Sequence, residues 1–128
     1  GEMRIVRISE VQEESMPTNI SPVPGWTGAA VTRTGQQILP PGMSEHFNCG
    51  WRNFSRGARE NFHTHSTDQL LIITAGIGIV ATEQEEREVT VGDIVYLPAG
   101  EKHCHGATKD SYLSYITVTR PGSQAVFE

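Results

Sequence analysis

Hydrophobic positions along the chain fall in short runs, separated at close intervals by Gly, Pro, Asn and Ser. Met3–Ile8, Asn48–Ser55, Phe62–His65, Asp68–Ala75, Ile77–Thr82, Arg87–Val91, Ile94–Leu97 and Tyr112–Thr119 are rich in β-branched and aromatic residues, and Gln37–Leu39 reads as a short edge piece. Strands this short, with a turn signal every ~8–12 residues, predict a β-sandwich or barrel. No window long enough for a stable helix carries a 3.6-residue period, and Glu10–Ser15 is given one helical turn. The polar run Thr82–Glu88 reads as a solvated hairpin tip, and Val91-Gly92-Asp93 as a tight turn. Pro17–Gly42 holds most of the prolines and predicts a long irregular arm packed by Trp26. The chain is therefore divided into an arm with edge strands, 1–42, and a barrel, 43–128, within one structural domain.

Composition narrows the function classes. With 128 residues and 14.1 kDa, the chain is long enough for a single hydrophobic core. A net charge of −5, with only ten Lys and Arg, argues against nucleic acid as a partner. No apolar run approaches the ~20 residues of a membrane span. No basic-then-apolar leader precedes the first strand, so the cytoplasm is the expected compartment. Cys49 and Cys104 form no metal or redox pair and are expected to be reduced thiols.

The histidines carry the candidate chemistry. Four of the five sit in two His-x-His pairs, His63-Thr64-His65 and His103-Cys104-His105. On a strand, residues i and i+2 share a face with Cα atoms about 6.5–7 Å apart, so each pair can clamp one ion. The pairs sit in regular frames. Gly57 is followed after five residues by His63-x-His65, then after three by Gln69 and after six by Gly76. Gly92 is followed after five residues by Pro98-x-Gly100, and after two more by His103. These frames resemble the two motifs of the cupins, closely over Gly57 to Ala107. The resemblance implies an all-β cupin double-stranded β-helix, a jelly-roll barrel with one divalent metal ion in its mouth. The implied ligands are His63, His65, Gln69 and His103.

Two positions depart from the cupin pattern. Gln69 stands where most cupins carry Glu, and Ala107 where the second motif usually ends in Asn. Three imidazoles and a neutral amide leave the charge of a divalent ion uncancelled, which makes it a stronger Lewis acid that favours anionic ligands. Nitrogen and oxygen donors suit Mn, Fe, Co, Ni and Zn alike.

The stretch from His63 to Gly78, the block Pro98-x-Gly-Glu-Lys-His103-x-His105-Gly-Ala107 and the element Gly25-Trp26-Thr27-Gly28 resemble the small bacterial cupins that include the manganese-dependent hydroxynitrile lyases. That resemblance implies Mn or Fe and lyase chemistry on a carbonyl- or enol-containing small molecule. An Fe(II) or Ni(II) dioxygenase of an enolisable or phenolic compound is the alternative enzyme. A metal-stabilised binding or sensor domain is the alternative outside catalysis.

Further residues follow from strand alternation. His105, if the strand continues past His103, reaches the same cavity and is a candidate general base. Tyr115, where the lyase relatives carry a histidine, is the second candidate for moving a proton, and Thr117 shares its face. Arg52 lies on Asn48–Phe54, whose inward face stays open between Asn48, Gly50, Arg52 and Phe54 and the alternating set. An inward Arg52 would favour a substrate carboxylate or phenolate. His46 completes the candidate substrate pocket, with a rim position as its alternative. The expected partners are a small-molecule substrate and a second copy of the chain in a homodimer, with neither nucleic acid nor membrane.

Overall fold

A computed structural model describes all 128 residues. One turn of 3-10 helix, Ile8–Glu10, is followed by twelve strands. They are β1 Glu14–Ser15, β2 Ile20–Pro22, β3 Arg33–Gln37, β4 Asn48–Phe54, β5 Ala58–Glu60, β6 His63–His65, β7 Gln69–Thr82, β8 Glu86–Thr90, β9 Ile94–Leu97, β10 His103–Ala107, β11 Leu113–Thr119 and β12 Ala125–Phe127. All pairings are antiparallel. One sheet runs β1-β3-β4-β11-β7-β9. The other runs β2-β5-β10-β7-β8, with β6 bridging β10 and β12. The result is the jelly-roll barrel that the sequence predicts, and no helix is long and apolar enough to cross a membrane.

Strand β7 joins the two sheets. Its first half pairs with β9 and β11, and its second half with β8 and β10. The sequence splits this stretch into two strands at Gly76, but the backbone stays paired straight through. Gly76 makes that possible at φ 79°, where a Cβ would run into the Tyr112 carbonyl.

The arm is more ordered than its prolines suggest. β1 covers the edge of β3, and β2 covers that of β5, so the arm lengthens both sheets by one short strand each. Met3–Ile8 forms no strand. Its residues have strand composition but no neighbour to pair with, and Met3 and Ile5 are exposed. The helical turn falls at Ile8–Glu10 rather than Glu10–Ser15, whose last two residues form β1.

Alternation along β4, β7, β9 and β11 fills one end of the barrel with apolar side chains, among them Phe54, Leu71, Ile73, Leu97, Leu113 and Tyr115. The polar residues Arg33, Glu60, His63, Gln69, His103 and His105 are also buried. Tyr115 and Phe54, 5.5 Å apart at their ring centres, lie between the apolar core and the polar cluster, and Phe54 is 6.4 Å from the His105 ring.

Candidate metal centre

Strands β6 and β10 pair with His103 directly opposite His63. Alternation then gathers four imidazoles. The His63 ring centre lies 4.4 Å from that of His103, 5.0 Å from His65 and 5.3 Å from His105. Ring nitrogens of His63, His103 and His105 lie within 4.8 Å of one another, and all three residues are buried. His65 is half-buried and stands beside this trio, its ring stacked 5.7 Å from that of His103. Phe127 of β12, a strand absent from the sequence reading, covers His63 at 4.6 Å.

Hydrogen bonds fix which nitrogens are free. His63 Nδ1 lies 2.6 Å from the Asn61 carbonyl oxygen, and His103 Nδ1 lies 2.9 Å from that of Glu101. A carbonyl only accepts, so each Nδ1 carries a hydrogen, and in the neutral ring the lone pair sits on Nε2. The Gln69 amide donates to Thr117 Oγ1 at 2.9 Å, which occupies its NH2 group and leaves its oxygen free. Nε2 of His63, His103 and His105 and Oε1 of Gln69 are all buried without a partner. Each such atom costs about 1–3 kcal/mol. The three imidazoles lie together and Gln69 lines the cavity above them, an arrangement that accommodates a cation.

Glu60 sharpens that fit. Its Oε1 lies 3.6 Å from His63 Nε2, a gap that a shared proton or a bound cation can bridge. Glu60 Oε2 lies 3.2 Å from Arg33 Nη1 and 3.5 Å from His105 Nδ1. Burial raises the Glu60 carboxyl, against the pull of His63 and Arg33. Arg33 spends its other donors on the carbonyls of Met16 and Thr18, at 3.1 and 2.7 Å. Sequence reasoning missed both Arg33 and Glu60. They lie on different strands with no motif linking them, and no spacing signal could have found the pair.

Burial pushes His65 and His103 down to about 4 and lowers His105 as well. These imidazoles are therefore neutral at pH 7, the form that ligates a metal. Burial raises the Tyr115 phenol, whose oxygen lies 3.0 Å from His105 Nδ1.

A cavity of about 260 Å³ opens over this cluster, lined by Arg52, Glu60, His65, Gln69, Tyr115 and Thr117 together with Asn48 and Phe127. Its lining settles the direction of β4, with Asn48, Gly50, Arg52 and Phe54 on the inner face. His46 lies exposed in the loop before β4 and does not line the cavity. A larger cavity of about 520 Å³ between β8 and β9 contains no histidine, so size does not mark the chemistry here.

Comparison with known proteins agrees with this fold. A family model of the cupin domain matches residues 50–119. The (R)-mandelonitrile lyase of Granulicella tundricola is 39% identical over 66 residues, 51% of this chain and 50% of that one. The match thus spans about half the length of that curated relative. Among solved structures, the polyketide cyclase RemF from Streptomyces resistomycificus superposes with a TM-score of 0.78 at 17% identity, covering 99% of this chain and 87% of its own. A cupin-like protein from Thermotoga maritima gives 0.71 at 22% identity, covering 84% and 86%. At these identities the two structures speak for the fold alone.

Proposed function

This chain belongs to the cupin family, and from that premise we propose that it is a metal-dependent enzyme with lyase-type chemistry on a small carbonyl- or enol-containing compound. The observation that carries the reading is the set of buried, unpartnered donor atoms, Nε2 of His63 and His103 and Oε1 of Gln69, with His65 stacked beside His103 and the fourth such atom, His105 Nε2, left over for proton transfer. His63, His65, Gln69 and His103 would hold one divalent ion, Mn(II) or Fe(II) in the first instance. Such an ion supplies Lewis acidity to a substrate oxygen.

The chain's own residues move the proton. His105 Nδ1 faces the Tyr115 oxygen and a carboxylate oxygen of Glu60, and the carboxylate cannot donate. With the hydrogen on Nδ1, donated to the Tyr115 oxygen or to Glu60, Nε2 is a base facing the cluster. In the cleavage direction Nε2 takes the proton of a carbinol hydroxyl. The C–O bond becomes a carbonyl as the adjacent C–C bond breaks. The departing fragment leaves with the electron pair and takes the proton back from His105. Tyr115 and Glu60 hold the imidazole in register throughout. Thr117 holds the Gln69 amide with its oxygen inward.

Elemental analysis of protein purified without added metal, with His63→Ala beside it, tests the centre. The expected result is about one equivalent in the wild type and none in the variant. Cyanide release from (R)-mandelonitrile and oxygen uptake with acetylacetone then test the chemistry. Absence of metal even after reconstitution overturns the centre. A loaded centre that consumes oxygen and cleaves nothing overturns the lyase reading and leaves the centre standing.

A further inference from the structure

Two arginines enter the barrel mouth, and they are held very differently. Arg33 is buried, paired with Glu60 at 3.2 Å and bonded to two backbone carbonyls. Arg52 forms no ion pair, and its one hydrogen bond goes to the carbonyl of its neighbour Trp51, at 3.1 Å from Nη1. A guanidinium offers five donors in a planar fork. Four of those of Arg52 are unspent, although the side chain is half-buried on the cavity wall.

The sheet makes room for this group. Gly50 and Gly35 lie beside Arg52 on β4 and the neighbouring β3, and neither adopts a positive φ. Their lack of a side chain serves space rather than backbone shape. A Cβ on Gly50 would lie 2.8 Å from Cζ and Nη2 of Arg52, and one on Gly35 would strike Met16 Sδ first and lie 3.0 Å from Nη1. The guanidinium thus rests in a glycine cradle. Tyr115, bonded to His105, is the residue opposite Arg52 on the adjacent strand. Among the charged groups lining the cavity, Glu60 already neutralises Arg33, which leaves Arg52 uncompensated.

We propose that Arg52 makes the barrel mouth a carboxylate-binding site, so that the substrate is a small organic anion with an oxygenated carbon next to its carboxylate. This rests on the reading of the histidine cluster as the reacting centre. The carboxylate takes the free face of the guanidinium, and the adjacent hydroxyl or carbonyl turns toward His105. The cavity volume of about 260 Å³ falls below the ~300–1,000 Å³ of sites for drug-sized ligands, which favours a compact acid. A simple neutral hydroxynitrile leaves Arg52 without a partner.

Calorimetric titration of the metal-loaded protein with lactate, and with its neutral isostere lactamide, tests the assignment. Lactate binds at least about tenfold tighter in the wild type, the size of one charge-assisted bidentate contact. Arg52→Met abolishes that preference, and Arg52→Lys keeps only part of it, because an ammonium lacks the fork. Arg52 holds no buried partner, so these variants keep the wild-type melting temperature. Gly50→Ala displaces the guanidinium and weakens lactate binding while lactamide is unaffected. Equal binding of the two probes, no binding of either, sulfate binding as tightly as lactate, or an unchanged preference in Arg52→Met would each overturn the assignment. His63→Ala separates the two readings: loss of metal with the charge preference retained supports the carboxylate site, and failure of the metal centre itself appears in the metal content.

Discussion

Replacing Glu60 by Gln probes the site and the fold together. Removing one member of a buried ion pair costs ~3–5 kcal/mol when the other is left uncompensated. Here the cost is smaller, for reasons visible in the contacts. Arg33 keeps the carbonyls of Met16 and Thr18, and the new amide oxygen still accepts from it. The new amide NH2, placed toward His63 Nε2 3.6 Å away, can donate across that gap. Metal-free Glu60→Gln therefore loses about 2 kcal/mol, or roughly 8 °C in melting temperature for a domain of this size. The metal-loaded protein loses more, because the nearest negative charge to the cation is gone. Affinity for Mn(II), measured by competition with a chelator, falls about tenfold to a hundredfold. Thermal melts of the metal-free proteins and chelator titrations of the loaded ones separate the two effects. Unchanged Mn(II) affinity with a lowered melting temperature would refute the electrostatic link to the centre and reduce Glu60 to a counter-ion of Arg33.

The metal-free protein becomes less stable as pH falls from 6.5 to about 4. His65 and His103 stay neutral when folded down to about 4 but take up protons at 6.5 when unfolded. The unfolded state binds more protons in that window, so stability is complete above 6.5 and is lost on the way down. His105 acts in the same direction, and Glu60, whose carboxyl burial raises, opposes them. Urea midpoints at pH 7 and pH 5 check the sign, and a higher midpoint at pH 5 would contradict it. Gly76→Ala combines a left-handed backbone with a collision against the Tyr112 carbonyl, so it lowers stability by at least about 2 kcal/mol, and a urea midpoint equal to wild type would show that β7 can cross between sheets without the glycine.

Much of the barrel was legible because its signals are local. Glycine-punctuated runs of β-branched residues mark β4, β7, β8, β9 and β11, and the two His-x-His pairs with their flanking glycines mark the strands that meet at the cluster. The elements that escaped are those whose reason lies elsewhere in the chain. β5 and β12 have three residues each, too short for alternation to show, and they exist because β10 and β6 offer them edges. Met3–Ile8 fails in the opposite way: its composition is right, but the chain pairs it with no strand. Gly76 reads as a break because sequence shows a glycine and not the strand that must pass it.

The site divides along the same line. Repeated ligands at fixed offsets on single strands, His63 with His65 and His103 with His105, announce themselves. The groups that set their charge and orientation come from neighbouring strands at no fixed offset: Glu60 against His63 and His105, Thr117 against Gln69, Asn61 and Glu101 through their carbonyls. Arg52 shows how much this matters. In sequence it is an arginine on a strand whose inner face is undecided. In the barrel it is a half-buried cation with four idle donors, seated over two glycines beside Tyr115. Arg33, an equally inward arginine, carries no such implication, because Glu60 and two carbonyls already satisfy it. The difference between a structural and a recognising arginine lies wholly in what surrounds the guanidinium, which only the pairing of distant strands decides.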